Sequence, residues 1–249
     1  MAVVGRQSIQ FDKAPFIIEA AAIVGKKEGE GPFGPLFDKV EEDGFFGKKT
    51  WEEAEGELQR QTAKKVLEKA KLTRMDMRYV FAGDLLEQMT ASTFGLMGYE
   101  IPLIGIYGAC STMGEGLMLA SMITAAGYAD YTLAVASSHF AAAEKEFRFP
   151  LNYGSQRPLS ATWTVTGCGA VIVGAEGMYG GNKKRPNARV TGVTTGKVID
   201  YGQKDSMNMG ACMAGAACDT IYQNFMDFGR RPEDYDRIIT GDLGYVGKT

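Results

Sequence analysis

Cys110 is the residue whose type and setting point most directly to chemistry. It stands in "IGIYGACSTMGEGLML", residues 104–119, where a short apolar run breaks at Gly108-Ala109 and gives way to helical periodicity. A side chain at such a strand-to-helix corner projects from the carboxyl edge of a sheet, where α/β folds hold their ligands. Unpaired N–H groups and the positive dipole end of the helix favour an anion there and lower a thiol's pKa. Gly108 and Ala109 leave room for a substrate to approach, and Ser111 adds a hydroxyl beside the thiol. The corner therefore suits a thiolate nucleophile or a cradle for a carboxylate. The competing reading is a small buried hydrophobe, the usual fate of a free cysteine.

Other side chains could act with it. Thr112 and Glu115 form T-x-x-E, which reads first as a capping box on the Cys110 helix; closer to the pocket, Glu115 would raise the thiol pKa. His139 ends the strand that follows, and a lone histidine there reads as a hydrogen-bonded structural residue before it reads as a base. The stretch "EKEFRFPLNYGSQRPLSATW" carries Arg148, Asn152, Arg157 and Trp163. Long ordered loops tend to be functional, and arginine is the natural bidentate partner of a carboxylate, so a lid or dimer arm is expected here. Each arginine has a plain surface role as its alternative. Met207, Met209 and Met213 read as flexible core packing.

These residues need a scaffold, and the pattern of elements supplies one. Strand signals at residues 16–24, 78–83, 101–109, 130–139, 169–174 and 188–200 alternate with helical stretches at 51–70, 112–127 and 207–229. Thr50 offers an N-cap with Glu53 as its capping-box partner, and Leu58, Val66 and Leu67 form a narrow apolar stripe behind it. The 112–127 helix is apolar nearly all round and belongs in the interior. Alternation of this kind predicts an α/β layered fold with a largely parallel sheet.

Several function classes are disfavoured. A net charge of −3 makes no electrostatic case for nucleic acid, and Lys183-Lys184-Arg185 reads as a solvated turn. Cys110, Cys168, Cys212 and Cys218 lack CxxC spacing and there is one histidine, so neither a metal site nor a disulfide framework is expected. No cofactor motif stands out. The N-terminal apolar stretch is interrupted by Glu19 and preceded by Asp12 and Lys13, unlike a signal peptide, and no run reaches the roughly 18 apolar residues of a membrane span.

The chain also repeats itself. "DMRYVFAGDL" at residues 76–85 matches "DYDRIITGDL" at residues 234–243, 158 positions on, with helix, strand and Gly-Asp-Leu turn in register. This reads as internal duplication. A first half at residues 1–180 carries the Cys110 corner, and residues 181–249 begin a second half. That second half is expected to be truncated, or completed by something else.

Two motifs then carry a resemblance. "GACSTMGEGL" resembles the nucleophile turn of the thiolase-like condensing enzymes, and "TGCGAVIVG" resembles the glycine-rich strand that closes their first half. The closer likeness covers nearly the whole chain. The "GRQSI" opening, "GACSTMGEGLMLASMITAAGYADYTLAVASSHF" and "EKEFRFPLNYGSQRPLSATWTVTGCGAVIVG" resemble the stage V sporulation protein AD family of spore-forming bacteria.

The resemblance implies a thiolase-like fold built of duplicated βαβ halves. It implies a protein of sporulation and spore germination that binds dipicolinic acid (pyridine-2,6-dicarboxylate), alone or as its calcium chelate, and helps move it into the developing spore. Such a protein works as a homodimer with other stage V sporulation A proteins, on the cytoplasmic side of or peripheral to the spore inner membrane. Cys110 matches the nucleophile position, but the His or Asn partners of the enzymes come from the second half and are not in this sequence. Binding without turnover is the expectation, with Cys110, Ser111, His139, Arg148, Asn152, Arg157 and Trp163 as candidate ligand contacts. The alternative is an acyltransferase or ketoacyl synthase in which Cys110 accepts an acyl group.

Overall fold

The computed structural model describes residues 2–147, 162–182, 186, 188–205 and 208–249. Along them run strands β1 (Ala2–Val4), β2 (Ser8–Gln10), β3 (Phe16–Gly25), β4 (Lys39–Glu41), β5 (Tyr79–Gly83), β6 (Leu103–Gly105), β7 (Tyr131–Ser138), β8 (Gly167–Gly174) and β9 (Gly192–Thr194). The helices are α1 (Lys26–Gly29), α2 (Trp51–Ala70), α3 (Thr90–Leu96), α4 (Thr112–Ala125), α5 (Phe140–Phe147), α6 (Met209–Phe228) and α7 (Gly244–Lys248). They fall into two compact units. One draws on Lys13–Arg148 and Thr164–Val190, the other on Met1–Asp12, Phe149–Trp163 and Thr191–Thr249.

The larger unit is built on a six-stranded sheet of order β4-β3-β8-β7-β5-β6. Side chains alternate between its faces, as strand geometry requires. Val80, Ala82, Leu133, Val135, Cys168, Ala170 and Ile172 point to one face and pack with Leu58, Val66 and Leu67 of α2. The intervening Phe81, Ala134 and Val173 point to the other and pack with Ala120, Leu117 and Ile123 of α4. Burying a leucine such as Leu58 completely is worth about 1.5–3 kcal/mol. The α2 capping box forms as expected: Glu53 N–H donates to Thr50 Oγ1 at 3.2 Å and Thr50 N–H to Glu53 Oε2 at 3.3 Å.

Three features differ from the sequence reading. The sheet is mixed: β4 is parallel to β3, and β6 and β7 to β5, but β8 is antiparallel to both β3 and β7. Ser138 stands opposite Gly167, so β8 starts at the edge where β7 ends and must run back. The strand expected over residues 101–109 is only the three residues of β6, all exposed, because it pairs with β5 on one side and forms the sheet's edge. Helix α4 buries only Thr112, Gly116, Ala120, Ser121 and Thr124 within the described residues; the rest of its apolar surface is half-buried or exposed.

In the smaller unit β1, β2 and β9 form an antiparallel sheet against which α6 packs. Asp227 on α6 ties down the "GRQSI" turn by accepting from the backbone N–H groups of Arg6 and Gln7, each at 2.9 Å, and from Ser8 Oγ at 2.8 Å. Gly5 adopts φ +58 there, and a Cβ would collide with the Asp227 carboxylate. The stretch at residues 188–200 contributes only β9 and a bridge from Arg189 to Phe16, the latter in the larger unit.

The repeat has a structural counterpart in the element boundaries. α2 and α6 both have 20 residues and start 158 positions apart, and each ends on a left-handed residue, Lys71 and Gly229. Short 3₁₀ turns follow at Arg74–Asp76 and Pro232–Asp234. Asp84 accepts from Leu86 N–H at 2.9 Å, as Asp242 does from Gly244 N–H at 2.8 Å. The copies differ in what comes between. Residues 79–83 are the strand β5, paired on both sides, whereas residues 237–240 form no strand and leave Ile239 85% exposed. β5 is held by ladders to β6 and β7, and no described strand pairs with 237–240.

Candidate functional site

The Cys110 corner is built by the end of β6, a 3₁₀ turn at Ala109–Ser111 and the start of α4. Ala109 is in the left-handed region at φ 48, an uncommon conformation for a residue with a Cβ. The turn is held from beneath: Ile106 N–H donates to Ala82 O at 2.9 Å and Gly108 N–H to Thr112 Oγ1 at 3.2 Å. Gly83 lies directly under it, in contact distance of Ile106 and Thr112.

Thr112 is the first residue of the helix rather than its cap, so the T-x-x-E box does not form. Ser111 instead reaches Glu115: its Oγ lies 2.8 Å from Gly108 O and 2.5 Å from Glu115 Oε1. A Cβ on Gly108 would collide with both Ser111 Oγ and the Glu115 carboxylate. Cys110 itself is exposed, and partial withdrawal of its sulfur from water pushes the thiol pKa up. That direction is opposite to the one expected from the helix dipole alone. Cys168 on β8 is buried and pushed up to about 12, chiefly by burial, which leaves it inert.

His139 is expected at the ligand but serves the fold. Its Nε2 bonds Gly44 O at 2.8 Å, and Ala142 N–H donates to Nδ1 at 3.4 Å in the first turn of α5. These contacts put the proton on Nε2 and engage both nitrogens. Burial pushes its pKa down, against the opposing pull of the Gly44 bond and of Glu52 and Glu28. Trp163 is half exposed and belongs to the smaller unit, whereas Cys110, Ser111 and His139 belong to the larger. Arg148, Asn152 and Arg157 lie outside the described residues, as do Met207 and the Lys183–Arg185 run.

A polar cluster under the corner is not apparent in the sequence. Glu55 and Gln59 of α2 are fully buried, among Ser92 of α3, Asp84 beyond β5 and Ser137 of β7. Gln59 Nε2 lies 2.8 Å from Ser137 Oγ, 2.9 Å from Ser92 Oγ and 3.3 Å from Gly83 O. Ser137 Oγ donates to Glu55 Oε1 at 2.8 Å, and Ser92 Oγ to Asp84 Oδ2 at 2.6 Å. The only sequence signal is that residues 55, 59 and 62 share the helical stripe of Leu58 and Val66. It can be read only once the phase of α2 is known.

Comparison with known proteins places this architecture. The family model described as stage V sporulation protein AD matches residues 5–249. The chain is 40% identical over 247 residues to stage V sporulation protein AD of Bacillus subtilis (strain 168), covering 99% of this chain and 71% of that protein. The chain belongs to the stage V sporulation protein AD family. Its fold is thiolase-like. Among solved structures it resembles 3-oxoacyl-(acyl carrier protein) synthase III of Xanthomonas oryzae pv. oryzae, with TM-score 0.60 and 13% identity, covering 96% of this chain and 80% of that one. It also resembles cerulenin-bound OleA of Xanthomonas campestris, with TM-score 0.63 and 15% identity, covering 96% and 78%. At such identities these two speak for the fold alone. Among the described residues no helix of this family member is long and apolar enough to cross a membrane.

Proposed function

We propose that this sporulation protein binds pyridine-2,6-dicarboxylate at the Cys110 corner, without turnover, and takes part in its uptake into the developing spore. The observation that carries the reading is the chemistry of the corner. Cys110 faces solvent at a helix start with its thiol pKa pushed up, and the chain's one histidine has both nitrogens engaged elsewhere. A nucleophile needs a base to make its thiolate, and His139 is committed as a cap. Backbone N–H groups at the start of α4 suit one carboxylate of the ligand. A rigid planar dianion loses little conformational entropy on binding, so few contacts suffice. The Glu115 carboxylate beside the turn opposes a bare dianion, which favours arrival as the calcium chelate.

The assembly belongs to the same proposal. β6 is exposed, apolar at Leu103 and Ile104, and paired on one side only, so we place a second copy of the chain along it. Other stage V sporulation A proteins would bring the dimer to the inner membrane, at its cytoplasmic surface. Incubation with acyl-coenzyme A followed by intact mass measurement tests the reading against acyl transfer. No added mass is expected; a stable acyl-Cys110 species without affinity for the dicarboxylate would overturn it.

A further inference from the structure

Two buried oxygens in the cluster under the corner have no hydrogen-bond partner: Glu55 Oε2 and Gln59 Oε1. They belong to side chains one helical turn apart, which brings them to the same face of α2. An unmatched pair of buried acceptors is costly, because each has given up water without gaining a donor. One proton removes both defects.

We propose that Glu55 is a neutral carboxylic acid whose proton closes a ring of hydrogen bonds with Gln59 and Ser137, and that this ring positions the Cys110 corner through Gly83. Glu55 Oε2–H donates to Gln59 Oε1, Gln59 Nε2–H to Ser137 Oγ, and Ser137 Oγ–H to Glu55 Oε1; the last two bonds are each 2.8 Å. The second N–H of Gln59 donates to Ser92 Oγ at 2.9 Å, whose own proton goes to Asp84 Oδ2. The donors of the ring run one way round, from Glu55 to Gln59 to Ser137 and back, and the branch through Ser92 ends at Asp84. Asp84 also accepts from Leu86 N–H and Ser92 N–H, so the branch ends on a carboxyl that only accepts. Turning the Gln59 amide over would aim its oxygen at Gly83 O and at a Ser92 hydroxyl already committed to Asp84.

The surroundings agree. Burial is the largest influence on Glu55 and raises its pKa to about 8. Asp84 beyond β5 and Glu146 on α5 are the charges that reach it, and both raise it further; Ser137 and the His139 backbone lower it. Cys168 on β8 is neutral, with its thiol pushed up to about 12, and Thr62 of α2 donates to Leu58 O. The link to the corner is short. Gln59 Nε2, its two protons committed to Ser137 and Ser92, lies against Gly83 O at 3.3 Å; Gly83 in turn packs against Ile106 and Thr112, and Thr112 Oγ1 holds the Gly108 N–H beside Cys110. Glu55, Gln59 and Ser137 are thus positioning residues, whichever ligand the corner holds.

The sign of the pH dependence follows. The folded protein keeps a proton that an unfolded glutamic acid releases above its ordinary value of 4.5, up to about 8. Stability therefore falls as pH rises through that window, by about tenfold in the unfolding constant per pH unit, and levels off above it. Chemical denaturation across pH 5–9 should show this slope in the wild type and a slope smaller by one proton in Glu55→Gln, whose amide donates in place of the acid. Infrared spectra at pH 6.5 should contain a protonated-carboxyl band that shifts in Ser137→Ala, a variant that breaks the ring and should also change the Cys110 alkylation rate severalfold, leaving Cys212 and Cys218 unaffected. The infrared test does not depend on Glu55→Gln folding. An unchanged slope in Glu55→Gln, or no protonated-carboxyl band in the wild type, would overturn the proton; an unchanged Cys110 rate in Ser137→Ala would overturn the link to the corner.

Discussion

Gly83→Ala tests whether the Cys110 corner is seated on the end of β5. A Cβ at this position would lie 2.6 Å from Thr112 Cγ2 and 3.3 Å from the Ile106 carbonyl carbon, and closer still to the Ile106 oxygen. Carbon atoms pack at about 3.5–4.0 Å, so the turn must move by roughly 1 Å. Threonine cannot swing away cheaply, because Thr112 Oγ1 holds the Gly108 N–H. Overpacking of this kind costs about 1–3 kcal/mol. The displaced Ile106 N–H also loses Ala82 O, now at 2.9 Å, which adds about 1 kcal/mol. The sum of about 2–4 kcal/mol corresponds to a drop in Tm of roughly 4–16 °C for a protein of this size. Thermal unfolding followed by circular dichroism measures the drop, and peptide-level mass spectrometry measures Cys110 alkylation, which should change while that of Cys212 and Cys218 does not. A variant within about 0.5 kcal/mol of the wild type, the range of an ordinary surface substitution, would refute the reasoning.

Three further outcomes are expected. Because burial raises the Cys110 thiol above 9.0, its alkylation should become half-maximal above pH 9.0; a midpoint below that value would mean the helix dipole dominates. Asp227→Ala should speed hydrogen exchange at Arg6 and Gln7, whose N–H groups it holds, and leave Ala22, held by Asp38, unchanged. Burial alone would raise the Asp227 pKa, but its bonds from Arg6, Gln7, Ser8 and Gln223 hold it well below the usual range, so this anchoring should be lost only in strong acid, as pH falls through the lowered value. Light scattering at micromolar concentration should report a dimer, and Ile104→Glu on the β6 edge a monomer; a monomeric wild type would count against the edge pairing.

The elements legible in the sequence are those whose signals are local. Thr50 and Glu53 fix the start of α2, and the largely apolar runs of β3, β7 and β8 announce strands of a covered sheet. The signals that failed depend on partners distant in sequence. Nothing in "GAVIVG" tells that β8 runs against its neighbours, since strand direction is set by where the preceding connection leaves the chain. "PLIGIYGA" lies at the sheet edge, as its pattern suggested, but only Leu103–Gly105 forms a ladder, because β5 alone pairs with it. At the site, the corner itself was legible from Gly108, Cys110 and the helix that follows. The role of His139 was not, because Gly44 lies 95 residues away and only the fold brings its carbonyl to Nε2. Glu55 and Gln59 are buried because α2 turns their stripe to the sheet, a phase that only the fold fixes.

The central claim is that the Cys110 corner holds a small aromatic dicarboxylate and does no chemistry on it. Isothermal calorimetry with pyridine-2,6-dicarboxylate, with and without calcium, tests that claim most directly. The account predicts one saturable site per chain, abolished in Cys110→Trp, which fills the corner, and only mildly weakened in Cys110→Ser. No saturable heat with the wild type under either condition, or undiminished binding in Cys110→Trp, would contradict it.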